Sequence, residues 1–277
     1  MNEDFRAELL KIVALLEERH GIGLRGDELP RWLEERLSLA VQALLGARQL
    51  ELRALPGLLT REPALLVELA NALRVGETRF YRDAPQWEAL RRGILPGLWA
   101  RRPESQRLVA LSAGCSTGEE AWTLGMLLSE SAPRVVGDAA RARVIGVDRS
   151  EPALVTARAA TYDALSHQQL PRELSQRFLQ PAVDGSARVV PDVQALVTFQ
   201  CRDLTRGLPP GRYSIIVCKN VLIYFGDEAQ DRLVQELLRS LTDDGVLLVA
   251  RSEVPIVRSL GARAYEIAPN ITAFRPK

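Results

Sequence analysis

The sequence predicts a doubly wound α/β sheet that follows an all-helical region. Beyond residue 107, short apolar runs typical of buried parallel strands alternate with segments of helical spacing. Before residue 75, apolar residues recur at helical spacing and no strand pattern interrupts them. The 277 residues suffice for one large domain or two smaller ones.

Charge and composition narrow the choice of partners. Lys and Arg number 36 and Asp and Glu number 35, so charge alone indicates no nucleic-acid partner. No apolar run approaches the ~18 residues of a membrane span, and residues 1–6 lack the basic and apolar regions of a signal peptide. We therefore expect a cytoplasmic protein without membrane insertion.

The cysteines Cys115, Cys201 and Cys218 form no Cys-x-x-Cys pair. We expect them to be small buried residues. The sequence predicts neither a disulfide framework nor a metal site.

Helical spacing predicts the N-terminal elements. One helix covers residues 5–19, a second starts near Pro30 and ends at Gly46, and another begins at Pro63. We expect these helices to form an N-terminal domain over residues 1–75.

The remaining chain is expected to form two further parts. Residues 76–105 are an interdomain linker with one helix, which Asp83 is placed to cap. The α/β domain covers residues 106–277, and its connection 162–195 is long enough to predict a small insertion subdomain. The predicted strands lie at 108–113, 144–148, 196–199, 214–218, 246–249, 264–267 and 271–274.

A small-residue turn between Gly114 and Gly118 joins the first strand to a helix. Both glycines let the backbone pass close to a ligand at the carboxyl end of the strand, where open α/β sheets bind small molecules. Glu119 and Glu120 disfavour a nucleotide phosphate there and favour a cationic or phosphate-free ligand. S-adenosylmethionine (SAM) has an amino group, a sulfonium and no phosphate.

Polar residues also follow the next three strands. Asp148 ends the second strand, where a carboxylate can accept from both ribose hydroxyls of a nucleoside or can cap the next helix. Asp203-Leu204 follows the third strand and Asn220-Val221 follows the fourth. Because the carboxyl ends of parallel strands meet at one edge of a sheet, these residues predict a single crevice.

Three motifs carry a resemblance to a known family: Thr78-Arg79-Phe80-Tyr81-Arg82-Asp83, Gly114-Cys115-Ser116-Thr117-Gly118-Glu119-Glu120 and Asn220-Val221-Leu222-Ile223-Tyr224-Phe225-Gly226-Asp227. In this order and spacing they resemble the chemotaxis receptor glutamate methyltransferases, the CheR family. The resemblance covers nearly the whole chain and implies a Rossmann-like class I methyltransferase sheet. It further implies transfer of the SAM methyl group to glutamate side chains on the helical cytoplasmic domain of a chemoreceptor in a chemosensory pathway, with S-adenosylhomocysteine as the product.

The resemblance also implies the site residues. Besides Gly114 of the turn, those expected to bind SAM are Thr78, Arg82, Glu119, Asp148, Asp203, Leu204, Asn220 and Val221. Glu119 or another carboxylate can pair with the methionyl ammonium, and Arg82 with the methionyl carboxylate or with the substrate glutamate.

Arg82 and Tyr224 are the candidate catalytic residues. A glutamate is already anionic at neutral pH, so its attack needs positioning and desolvation more than a general base, and none is assigned. The alternatives are a capping or interdomain ion pair for Arg82 and a core aromatic residue for Tyr224.

Three positions depart from the family pattern: Gly76 and Asp203 each stand in place of Asn, and Arg251 stands in place of His. These departures motivate one alternative, a SAM- or product-binding regulatory module that has lost catalysis. A methyltransferase acting on another substrate class is a separate alternative. The segment 178–190 is shorter than in members that grip a tethering peptide at the receptor C-terminus. We therefore expect no C-terminal pentapeptide tether.

Overall fold

The structure, a computed structural model, describes residues 3–23, 30–73, 78–103, 106–132 and 141–276. The chain divides into two compact units: Met1–Gly76 with Leu222–Leu233, and Glu77–Val221 with Val234–Lys277. Gly76, one of the departures from the family pattern, lies outside the described residues.

The elements described in the N-terminal part of the first unit are helical, apart from an isolated β-bridge between Ile22 and Phe225. Its helices are α1 (Glu3–His20), α2 (Arg31–Arg48), α3 (Leu55–Arg61) and α4 (Pro63–Ala72). Apolar residues at helical spacing, such as Leu9, Ile12 and Leu16 of α1, are fully buried in the core of this unit. The predicted end of α2 at Gly46 is wrong, because the helix continues until Gln49 takes a left-handed φ of 52°.

The helices of the second unit alternate with its strands. They are α5 (Ala84–Ala89), α6 (Leu95–Arg101), α7 (Glu119–Ser131), α8 (Glu151–Ala159), α9 (Ala164–His167), α10 (Arg172–Phe178), α11 (Pro191–Gln194) and α13 (Val254–Ser259). Helix α12 (Asp227–Arg239) begins in the first unit and ends in the second. None of the helices in the described ranges is long and apolar enough to cross a membrane.

The second unit contains ten described strands. They are β1 (Leu108–Ala113), β2 (Ala142–Asp148), β3 (Thr161–Tyr162), β4 (Leu179–Pro181), β5 (Ala187–Val189), β6 (Val197–Cys201), β7 (Tyr213–Cys218), β8 (Leu241–Val249), β9 (Arg263–Ala268) and β10 (Ile271–Arg275). Seven form one sheet in the order β6-β2-β1-β7-β8-β10-β9, in which β10 runs opposite to the other six strands. The predicted doubly wound α/β fold with an antiparallel ending is confirmed.

A second, three-stranded sheet in the order β3-β5-β4 lies between β2 and β6 in the chain. Its strands pair antiparallel, and β4 and β5 are joined by a short turn in which Gly185 has a φ of +80°. The strands of this small sheet, apart from Thr161, and the helices α9 and α10 between them lie in the connection 162–195, whose length predicted an insertion.

Two local predictions are wrong. Asp83 precedes α5, but its left-handed backbone (φ 64°) differs from the extended conformation of a capping residue, and its side chain makes no capping hydrogen bond. Cys201 is exposed because it ends β6, the edge strand of the sheet, whereas Cys115 and Cys218 are buried as expected.

Candidate cofactor site

The direction in which the chain winds through the sheet reverses between β1 and β7. From β1 the chain winds outward to β2 and β6, and from β7 it winds the other way to β8. Open α/β sheets bind ligands at such a reversal, beyond the carboxyl ends of the strands. The segments that follow β1, β2, β6 and β7 contain most of the predicted site residues.

The glycine turn after β1 is held tightly against its neighbours. The amides of Gly114 and Cys115 both donate to the carbonyl of Val147, at 2.8 and 2.9 Å. Gly114 has a φ of +82°, and a Cβ atom there would lie 2.4 Å from Cγ2 of Val221. Only glycine therefore combines this backbone conformation with this close approach.

Asp148 is buried and connects this turn to its own strand. Its carboxylate accepts from the amide of Ser116 at 2.8 Å and from the amide of Ser150 at 2.9 Å. A carboxylate offers about four acceptor positions, so Asp148 can hold the turn and also accept ribose hydroxyls. The amide of Arg202 donates to the Asp148 carbonyl at 2.9 Å, which places Asp203 beside the same strand end.

Glu119 begins α7 and is buried. Its carboxylate accepts from the Thr117 hydroxyl at 2.7 Å and from the Ser166 hydroxyl at 3.0 Å. Burial raises the pKa of Glu119, and these two hydrogen bonds partly oppose that effect. The Ser166 carbonyl accepts from the amide of Phe80 at 3.0 Å, so α9 contacts both Glu119, directly after the glycine turn, and the first family motif.

Lys219 follows β7 directly and is buried. Its Nζ donates to the Arg82 carbonyl at 2.9 Å and lies 3.7 Å from a carboxylate oxygen of Asp83 and 3.9 Å from one of Glu120. The ammonium also lies 4.5 Å from the centre of the Trp87 ring, within the range of a cation–π contact. Burial lowers the pKa of Lys219, and the two carboxylates oppose that effect.

The remaining predicted residues are placed as follows. Thr78 and Arg82 are half-buried in the irregular segment before α5. Asp203 accepts from the amide and hydroxyl of Thr205 at 2.9 and 2.7 Å, and Leu204 is buried in the 3₁₀ turn that follows. Tyr224 belongs to the first unit, where its ring meets Trp32 edge-on with ring centres 5.1 Å apart. The catalytic role of Tyr224 stays a prediction.

Sequence reasoning assigned no role to Lys219 or Glu253. Lys219 had a local signal, a lone cation directly after a buried apolar strand. Glu253 lies two residues after Arg251, one of the departures from the family pattern, and its sequence context does not show which amides it meets. In the structure it is fully buried and accepts from the amides of Asn220 and Val221.

The residues present fit SAM. The turn after β1 brings backbone close to Val221, Asp148 supplies acceptors suited to ribose hydroxyls, and Glu119 supplies a buried carboxylate suited to an ammonium. The acidic start of α7, with Glu119 and Glu120, is unsuited to a phosphate.

Comparison with known proteins agrees with this chemistry. Residues 76–259 match the family described as CheR methyltransferase, SAM binding domain. The chain is 30% identical to a chemotaxis protein methyltransferase of Vibrio parahaemolyticus over 246 residues, which cover 86% of each protein. It is 26% identical to the chemotaxis protein methyltransferase Cher2 of Pseudomonas putida, over 91% of this chain and 89% of that one. A 104.1 kDa protein of Rhodobacter capsulatus is 26% identical over 246 residues, which are 25% of its length.

Fold, site and similarity together define a SAM-dependent methyltransferase. The chain belongs to the CheR methyltransferase family, whose SAM-binding domain spans residues 76–259. The predictions of family, enzyme class and cofactor are confirmed.

Proposed function

We propose that this protein methylates glutamate side chains on the helical cytoplasmic domain of a chemoreceptor, and that it does so in the cytoplasm without a C-terminal receptor tether. The names of the relatives support a chemotaxis role. The observation that carries the proposal is the hydrogen bond from Lys219 to the Arg82 carbonyl, because it connects the first family motif to the residue directly before the third, 137 residues away. Arg82 is thereby held beside the end of β7.

The proposed roles are those that the family resemblance implies, and the chemistry of each side chain agrees with them. Asp148 accepts the ribose hydroxyls, and Asp203 with Leu204 borders the adenine. Glu119 pairs with the methionyl ammonium. The other proposed SAM contacts are Thr78, Gly114, Asn220 and Val221.

Arg82 and Tyr224 are the proposed catalytic residues. Bound SAM supplies an electrophilic methyl group, and the acceptor carboxylate is an anion at neutral pH. The Arg82 guanidinium orients a carboxylate by paired hydrogen bonds, and the Tyr224 phenol supplies a further donor. Neither residue needs to remove a proton.

The direct test is methyl transfer to a purified receptor cytoplasmic fragment with SAM labelled in its methyl group. A glutamate methyl ester releases labelled methanol in alkali, whereas a methylated nitrogen does not, so the release identifies the acceptor. Arg82→Ala serves as the inactive comparison. SAM binding without transfer to any receptor fragment would favour the regulatory-module alternative that Asp203 and Arg251 suggested.

A further inference from the structure

Glu253 is a buried carboxylate with three backbone donors. It is 0% exposed and lies in the 3₁₀ turn Arg251–Glu253 after β8. One oxygen accepts from the Val221 amide at 2.8 Å, and the other accepts from the amides of Asn220 and Ala250, both at 3.0 Å. The carboxylate thus joins the ends of β7 and β8.

The two amides from the end of β7 belong to a backbone that needs support. Asn220 has a φ of +57°, a left-handed conformation that most residues with a side chain avoid and that asparagine adopts more readily than most. The next residue, Val221, places a methyl group 2.4 Å from where a Cβ on Gly114 would be. A small movement of this segment would therefore change its spacing from the glycine turn.

We infer that Glu253 is a positioning residue for SAM: it holds the Asn220–Val221 backbone at the distance from the glycine turn that SAM binding requires. This inference rests on the proposed roles of Asn220 and Val221. An ionised acceptor suits the task, because charge-assisted bonds to amides are short and strong, and one carboxylate can serve several donors. The side chain of glutamine has only one acceptor atom. Its NH2 group would face a backbone N–H, so it cannot replace both carboxylate oxygens of Glu253.

The test compares Glu253→Gln with two other variants. Glu253→Asp keeps the charge on a shorter side chain. Glu266→Gln is the matched control, because Glu266 accepts at 2.7 Å from the amide of Asn270, which is also left-handed (φ 61°), in the exposed β9–β10 turn. SAM binding is measured by calorimetry, and KM for SAM and kcat by methyl transfer.

We expect Glu253→Gln to weaken SAM binding at least tenfold and to raise KM for SAM more than it lowers kcat. Glu253→Asp should recover part of the affinity, and Glu266→Gln should bind SAM within about twofold of the unsubstituted protein. Amide hydrogen exchange without SAM should accelerate at residues 220–221 in Glu253→Gln.

A folded Glu253→Gln variant with unchanged affinity for SAM would overturn the inference and assign Glu253 to stability alone. If that variant does not fold, Glu253→Asp decides: reduced affinity supports the inference and full affinity overturns it. Failure of the unsubstituted protein to bind SAM would overturn the proposed function itself, and the inference with it.

Discussion

The Nζ of Lys219 lies 2.9 Å from the carbonyl oxygen of Arg82 and donates a hydrogen bond to it. The ammonium is buried. In place of water it has this carbonyl, the Trp87 ring and the carboxylates of Asp83 and Glu120 around it. A buried ammonium persists only with such partners. Lys219 therefore keeps the segment containing Arg82 at the end of β7.

We expect Lys219→Met to lower the free energy of unfolding by about 1 to 3 kcal/mol, because the Arg82 carbonyl and the Glu120 carboxylate lose a buried partner. Arg212 is the control, because it precedes the same strand and pairs with Asp243 at 3.0 Å while 58% exposed. Arg212→Met should cost less than about 1 kcal/mol. Denaturant unfolding measures the free energy of unfolding of both variants. Equal losses would show that the buried contacts of Lys219 contribute no more to stability than the exposed ion pair of Arg212.

Asp148→Ala should weaken SAM binding by about 1.5 to 3 kcal/mol, because the ribose hydroxyls and the Ser116 amide lose their acceptor. Asp184 provides the comparison: its exposed carboxylate also accepts from a backbone amide, that of Ser186 at 3.0 Å. Asp184→Ala should leave SAM affinity unchanged in calorimetry. Normal affinity in a folded Asp148→Ala protein would remove Asp148 from the site.

Local patterns were sufficient to predict the seven strands of the large sheet and the glycine turn, and to place Asp148 at the end of the second strand. Apolar runs and glycine spacing are properties of neighbouring residues, and each strand of a parallel sheet shows them by itself. The order of the strands is not local, so the exposure of Cys201 at the edge strand was missed. The left-handed Asp83 was missed because aspartate also favours capping positions.

The partners of Lys219 and Glu253 depend on the folded chain. Lys219 meets a carbonyl 137 residues away, and Glu253 meets amides 32 and 33 residues away. The sequence shows only that both residues are charged, and the packed sheet determines which atoms come within hydrogen-bond distance of them.

SAM affinity should decrease in acid, because the proposed pairing of Glu119 with the methionyl ammonium requires an ionised carboxylate. Burial raises the pKa of Glu119, so protonation and the loss of affinity begin at a higher pH than for an ordinary glutamate. Below that pKa the affinity should fall by up to about tenfold per pH unit. Calorimetry across acidic pH measures this dependence.

Glu119→Gln should bind SAM more weakly at neutral pH and show a flatter pH profile. Glu151 is the control, since its carboxylate is exposed and its pKa is lowered by Arg158. Glu151→Gln should keep the profile of the unsubstituted protein. An identical profile in Glu119→Gln would assign the acid sensitivity to another group.

Tyr224→Phe should lower kcat for methyl transfer about tenfold or more and change SAM affinity less than twofold, because the phenol is proposed to act on the reacting groups and not on the cofactor. Tyr265→Phe removes a phenol from β9 and should leave both quantities unchanged. A fall in SAM affinity as large as the fall in rate would contradict the proposed role and favour a structural phenol.

The small sheet offers little edge for a receptor peptide. A tethering peptide that adds a strand needs a row of backbone donors and acceptors along an edge. The edge strand β4 has three residues: the amide of Leu179 already donates to the Ser175 carbonyl, and Pro181 has no amide hydrogen. The opposite edge strand, β3, has only two residues.

Methylation should therefore be insensitive to removal of the last residues of the receptor. The measurement compares initial rates on a full-length receptor cytoplasmic fragment and on one that lacks its C-terminal five residues, and we expect a ratio within about twofold. Titration of the isolated C-terminal peptide should give no binding.

A pocket of 350 Å³ beside the β4–β5 turn, lined in part by His167, Gln176 and Ser186, is where a peptide would bind if this expectation fails. Peptide binding that Gln176→Arg abolishes, together with a large loss of rate on the truncated receptor, would establish a tether that contacts side chains instead of a strand edge.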